Sequence, residues 1–312
     1  MNEPILHHYP ASPYAEKVRL LLGFKGLAWR SVTIPAILPK PDVMALTGGY
    51  RRTPILQLGA DIYCDSTLIV RALEALKPAP TLYPFGDTLA ALALGHFAES
   101  VLFNVAVPIA FQPEALDIFF PGVDAAFMER FRADRAEMRK GGTVRRGTLA
   151  ECKAVYAHLL PRLEAQFIDG RAFAFGGAPS AADFALYHTV WAIGRVPTLT
   201  PLHAPYPKLV AWMARMAAIG HGRHHPMTSG EAIRVAHGSK PAAIRNPQAL
   251  ETEGIALGDE VEVLPVDYAL DVVRGRLLEA SAERLSVLRT DDRAGKVAVH
   301  FPRMGFQLRR PG

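Results

Sequence analysis

Cysteine is nearly absent. Cys64 and Cys152 are the only two in 312 residues, too few for a disulfide framework and without the spacing of a metal site. A strong charge of one sign is missing too. The formal net charge is +5, with 23 Lys+Arg against 18 Asp+Glu over residues 1–228 and 10 against 11 over residues 245–312. One basic cluster, Arg135, Arg139, Lys140, Arg145 and Arg146, is interleaved with Asp134 and Glu137, and reads as a solvated helix end rather than a nucleic-acid footprint. Long uninterrupted apolar runs are lacking as well: the most apolar stretch, Leu94 to Phe111, is broken by His96, Glu99 and Asn104, and the first residues reach Glu3 and Pro4 at once. The expectation is a soluble cytoplasmic protein with no membrane and no nucleic-acid partner. Half of the residues are hydrophobic and 21% charged, an ordinary globular composition whose length fits two or three domains.

The most informative stretch runs from Arg51 to Ser66. Ile55, Leu56 and Leu58, then Gly59-Ala60-Asp61, then Ile62-Tyr63, predict a hairpin with permissive residues at its turn. Leu68, Ile69, Ala72, Leu73 and Leu76 repeat at helical spacing, which puts Asp65-Ser66 at a helix N-terminus, where free amides and the dipole favour an anion. Pro54 removes a backbone donor just ahead of the strand, where a sheet edge can pair with an extended ligand. Upstream, residues 4–8 predict a strand, and Ser12 and Pro13 open a helix carrying Tyr14, Val18, Leu21 and Leu22. Leu27 to Ile34 predicts a second strand, which completes a thioredoxin-like order over residues 1–78.

Two motifs carry a resemblance. Pro54, the hairpin and Asp65-Ser66 resemble the glutathione site of the glutathione transferases, and Ala11-Ser12-Pro13-Tyr14-Ala15-Glu16-Lys17-Val18-Arg19 resembles the opening of the serine-type, tau-like members. The resemblance implies a cis proline at 54, backbone hydrogen bonds from Ile55 to the cysteinyl part of glutathione, and Asp65 and Ser66 on its γ-glutamyl end. It places Arg52, beside Thr53, near the glycine carboxylate. It makes Ser12 the catalytic hydroxyl. Such a serine donates to the sulfur and favours thiolate over thiol; lowering a thiol pKa of about 8.5 by two units asks for about 2.7 kcal/mol, within reach of a charge-assisted hydrogen bond beside a helix dipole. Without the resemblance, Ser12 reads as an N-cap alone.

After Lys77-Pro78-Ala79-Pro80 the texture is helical over residues 86–228, with periodic segments at Leu89 to Ile109, Gly122 to Lys140, Leu149 to Phe167, Ala181 to Gly194 and Tyr206 to Ala218. Ser180-Ala181-Ala182-Asp183 is a capping box, also found at the central helix of the transferases' helical domain; on its own, Asp183→Ala is expected to cost about 0.5 to 2 kcal/mol. An apolar electrophile would lie between the domains, with Tyr9, Tyr14, Phe97, Phe103, Val107 and Phe111 as pocket candidates; packing serves equally well for each helical residue. His221, His224 and His225 suit a loop, and no metal is expected there.

Residues 247–312 change character. Five short alternating segments predict a small antiparallel barrel of the SH3-like kind, and Val299 to Phe306 resembles the end of a domain appended to a group of bacterial and fungal transferase-like proteins. The resemblance implies a homodimer whose co-substrate is glutathione. The other reading is a catalytically vestigial module that uses the β region for protein contacts.

Overall fold

A computed structural model of the chain describes residues 3–145, 147–250 and 253–312, so Arg146 of the basic cluster lies outside the described residues. Strand β1 (Ile5–His8) leads into α1 (Pro13–Phe24), capped by Ser12, whose Oγ accepts from Ala15 N at 3.2 Å. Pro13 sits in the first turn, where its missing N–H would have had no helical acceptor. Then come β2 (Trp29–Thr33), α2 (Pro41–Thr47), β3 (Ile55–Leu58), β4 (Asp61–Cys64) and α3 (Ser66–Leu76). β1 runs parallel to β2 and antiparallel to β3, and β3 turns into β4 through Gly59 and Ala60, with Gly59 at φ 63. This is the thioredoxin-like arrangement the sequence predicts.

Strand alternation sends Leu6 and Leu56 to one face of the sheet and Ile5, Ile55 and Ile62 to the other. The first face is covered by α1, α3 and a helical layer. In that layer α4 (Leu89–Phe97) passes through a π turn at Ala98–Leu102 into α5 (Phe103–Ala110), followed by α6 (Leu116–Phe119), α7 (Ala125–Glu137), α8 (Leu149–Ala165), α9 (Ala181–Gly194) and α10 (Pro207–Ala218). The capping box at α9 is present, but its carboxylate does more than cap. Fully buried Asp183 accepts from Ser180 N (2.9 Å), Ser180 Oγ (2.8 Å), Ala174 N (2.7 Å) and Trp212 Nε1 (3.0 Å). Four donors tie three segments to one side chain, so a cap-sized penalty for its loss is too small.

His224 and His225, expected in a loop, form instead a short strand β5 (His224–Pro226) parallel to β2. Trp29 explains the difference: its ring stacks on His224 at 4.6 Å and its Nε1 donates to His221 O at 2.9 Å, drawing the segment onto the sheet edge. His7 and His8 do face opposite ways, His7 to Gln57 at 2.8 Å and His8 to Ser31 at 2.8 Å.

The second face carries α2, α11 (Ser229–His237) and the C-terminal strands β6 (Glu260–Pro265), β7 (Val273–Ala280), β8 (Arg284–Asp291), β9 (Gly295–Pro302) and β10 (Phe306–Arg309). Those five form in the antiparallel order β10-β6-β7-β8-β9, giving the appended small β domain expected. What nothing in the sequence announced is that β9 continues in parallel onto β4, pairing Ile62 with Val299 and Tyr63 with His300. The result is one ten-stranded sheet, β10-β6-β7-β8-β9-β4-β3-β1-β2-β5. A buried chain pins the seam: His300 Nε2 lies 3.0 Å from Asp61 Oδ1, and its Nδ1 lies 2.8 Å from Ser286 Oγ.

Candidate active site

Pro54 is cis, as expected, and follows Thr53 in the loop between α2 and β3. Ile55 stands opposite His7 on one side and Cys64 on the other, inside the sheet rather than on its edge. Thr53 and Pro54 stand just outside the strands at this turn. Lys40, which caps α2, sends its Nζ to Arg51 O (3.1 Å) and Thr53 Oγ1 (3.3 Å). Burial, with Arg135 adding repulsion, pushes its pKa down to about 7. Sequence reasoning passed over Lys40; its only signal was a lysine directly ahead of Pro41 at a helix start.

Asp65 adopts φ 74 and accepts from Thr67 N at 2.9 Å, opening α3. Beside it Ser66 Oγ accepts from Lys17 Nζ at 3.2 Å, and Lys17 pairs with Glu99 at 2.5 Å. Lys17 belongs to α1, Ser66 to α3 and Glu99 to the π turn, so the three elements meet here. Glu99 is the second residue of that π turn, and its carboxylate reaches Lys17 and Thr67 at this junction. Burial, reinforced by the charge of Glu99, raises the Asp65 carboxyl above its usual range. Neither Lys17 nor Glu99 was anticipated as a site residue, although a carboxylate inside the most apolar helix was a visible irregularity. An acidic pair beside a buried ammonium and a helix N-terminus suits a zwitterion, with an amine towards Asp65 and a carboxylate towards the α3 amides.

Ser12 is buried, and its Oγ serves as acceptor for Ala15 N. Among the described residues no acceptor is recorded for its hydroxyl hydrogen, which leaves that proton free to donate. Tyr14, two residues on, donates to Glu99 O at 3.2 Å, and burial pushes its phenol pKa far up.

The six expected pocket residues separate into groups. The Tyr14 ring lies tilted against Phe103 at 4.4 Å and against His188 at 4.7 Å. Tyr9 stacks with Phe120 at 6.4 Å, while Phe111 lies on Phe119 at 4.1 Å. Phe97 and Val107 are half-buried along the α4 to α5 run. Arg52 is also placed differently from expectation: it reaches into the β region, donating to the Asp267 carboxylate and to Tyr268 O, with its guanidinium 3.8 Å from the centre of the Tyr268 ring. No group of three or more His, Cys, Asp or Glu able to hold a metal occurs among the described residues. The Asp61–His300–Ser286 chain is sealed inside the sheet and is structural.

Comparison with known proteins decides the family. The model of the glutathione S-transferase N-terminal domain matches residues 6–81, and that of the C-terminal domain matches residues 146–215. A GST-like protein from Pseudomonas syringae is 41% identical, with 100% of each chain covered and a TM-score of 0.83. The chain belongs to the glutathione S-transferase family. More distant transferases share the fold: a tau-class enzyme from mango, Mangifera indica, is 15% identical over 69% of this chain and 89% of its own, with a TM-score of 0.50. The beta-etherase LigF from Sphingobium sp. strain SYK-6 is 17% identical over 70% and 96%, also with a TM-score of 0.50. No protein of curated function matches. As a member of the family the chain carries its two domains plus the C-terminal strands, and the Pseudomonas syringae protein is matched across all three.

Proposed function

We propose that the chain activates glutathione for attack on an electrophilic, apolar small molecule. The observation that carries the reading is the junction of α1 and α3, where Lys17, on the helix that Ser12 caps, donates to Ser66 at 3.2 Å and pairs with Glu99 next to Asp65 at the start of α3. The γ-glutamyl amine is assigned to Asp65 and its carboxylate to the Ser66 end of α3; the cysteinyl backbone lies along Thr53 and cis Pro54. Ser12 keeps its hydroxyl proton for the sulfur. The thiolate then attacks the electrophilic carbon and the leaving group departs, whether the overall change is conjugation, ether cleavage or dehalogenation. Tyr14 and Phe103 form the apolar wall nearest that serine.

A homodimer belongs to the same proposal. The helical run Leu89–Ala110 is long and apolar enough to cross a membrane by length and composition, with mean hydropathy 1.5, yet Glu99 anchors it to α1 through Lys17. Its exposed Leu89, Leu92 and Val101 suit a second copy of the chain, in the cytoplasm. The test is calorimetry with glutathione and S-methylglutathione, followed by titration of thiolate absorbance in wild type and Ser12→Ala. Wild type should lower the bound thiol pKa by one to two units, roughly 1.4 to 2.7 kcal/mol, and Ser12→Ala should return it towards about 8.5. Binding without any lowering would instead support the vestigial module.

A further inference from the structure

The loop between β6 and β7 is not an ordinary surface turn. Asp267 O accepts from Thr143 N at 2.7 Å, and Ala269 N donates to Met138 O at 2.5 Å, so the loop is wedged against the segment after α7. At Gly142 an added Cβ would lie 2.1 Å from Asp267 O, so only glycine permits the approach. On its other side Arg51 pairs with Asp271 at 3.2 Å, and Arg52 holds both Asp267 and Tyr268. Ala269, in the middle, is buried at φ 44, a conformation an alanine holds only when its surroundings impose it.

We propose that the turn 266–271 is a built-in competitor at the glutathione cleft, its Asp267 carboxylate and Tyr268 carbonyl holding the Arg52 fork against a ligand carboxylate. The inference rests on the glutathione reading. Arg52 has one guanidinium, and in this state Asp267 and the Tyr268 carbonyl take it, so a tripeptide carboxylate gains it only as the turn swings out. The β domain, which conjugation chemistry does not require, thereby sets the ligand affinity of the first domain. The competition is a two-state exchange: whatever free energy holds the turn in is subtracted from ligand binding.

Glutathione titrations of wild type, Asp267→Ala and Tyr268→Ala, with hydrogen exchange of peptides covering residues 266–271 in wild type, test this. The expected result is that both variants bind glutathione about tenfold more tightly, and that the wild-type turn exchanges faster when glutathione is saturating. Tighter binding by the variants when wild type gives no heat supports the proposal equally. If wild type binds, the variants bind no better and exchange in the turn is unchanged or slower, the turn is a fixed wall and the proposal is overturned while the glutathione reading stands. If neither wild type nor the opened variants bind, the glutathione reading itself falls, and the gate with it. The exchange measurement needs no variant, so a poorly folding substitution does not blunt the test.

Discussion

The helical layer and the C-terminal strands lean on the same first domain and grip it in different ways. Against α1 and α3 the helices set Leu102, Ala106, Phe184 and Val190, all fully buried in one apolar cluster. The C-terminal strands share the second apolar cluster, but much of their hold is directional: backbone pairing of β9 to β4, the Asp61–His300–Ser286 chain, Arg52 on Asp267, and Arg293 on Asp42 at 2.6 Å. Apolar packing is tolerant of detail and strong in sum, whereas charged and hydrogen-bonded contacts demand geometry and switch when a partner is removed. A fixed seam therefore supports the site on one side, and a contact able to exchange partners borders it on the other.

Acid has the largest expected effect, and it falls on the first domain and the helical layer, where four buried histidines lie. Burial pushes His188 and His8 down to about 3, and His7 and His203 down to about 4. The unfolded chain takes up those protons near pH 6.5 while the fold refuses them, so stability is present in full above that pH and falls below it. Between pH 7 and 5.5 each group loses about 1.3 kcal/mol, roughly 5 kcal/mol for four. Urea midpoints across this range check it, and a flat profile would contradict the burial of these rings.

Asp183→Ala comes next, at about 3 to 5 kcal/mol, because it strands the Trp212, Ala174 and Ser180 donors inside the helical layer. Chemical denaturation measures it, and a loss under 1 kcal/mol would reduce Asp183 to a cap. At the seam, His300→Ala should cost about 2 to 3 kcal/mol by removing the buried partner of Asp61 Oδ1 and Ser286 Oγ, although Asp61 keeps Ala242 N. Because the second core is shared, wild type should still melt with the first domain and the β strands in one calorimetric transition; a separate early transition of the strands would break the contrast. Smallest is Arg293→Ala, about 0.5 kcal/mol and screened by salt, since the pair it removes is solvent-exposed.

Much of the fold was written locally. Pro13 after Ser12, the Gly59 turn, the 3.6-residue spacing of α3 and the alternation of Val297, Val299 and Phe301 each act within a few residues, so their elements are legible one at a time. The site was legible in part: Ser12 and Asp65 as caps of α1 and α3, and cis Pro54 just ahead of β3. Lys17, Lys40 and Glu99 escaped because nothing in their own neighbourhoods marks them; burial and partners from distant segments make them what they are. Phe97, Phe103 and Phe111 show the converse, since apolar residues at helical spacing do not disclose which neighbours they will meet.

By itself, then, the sequence determined most of the strands and helices and the capped helix starts, because short-range backbone preferences and side-chain periodicity settle those, and two motifs carried the resemblance to the family. Only the tertiary structure decided that β9 joins β4 across more than two hundred residues, that Ile55 is enclosed by two strands, and that Arg52 faces Asp267. Each of these depends on which surfaces meet once the chain has closed on itself, a choice fixed by the sum of many weak contacts and by no single local signal.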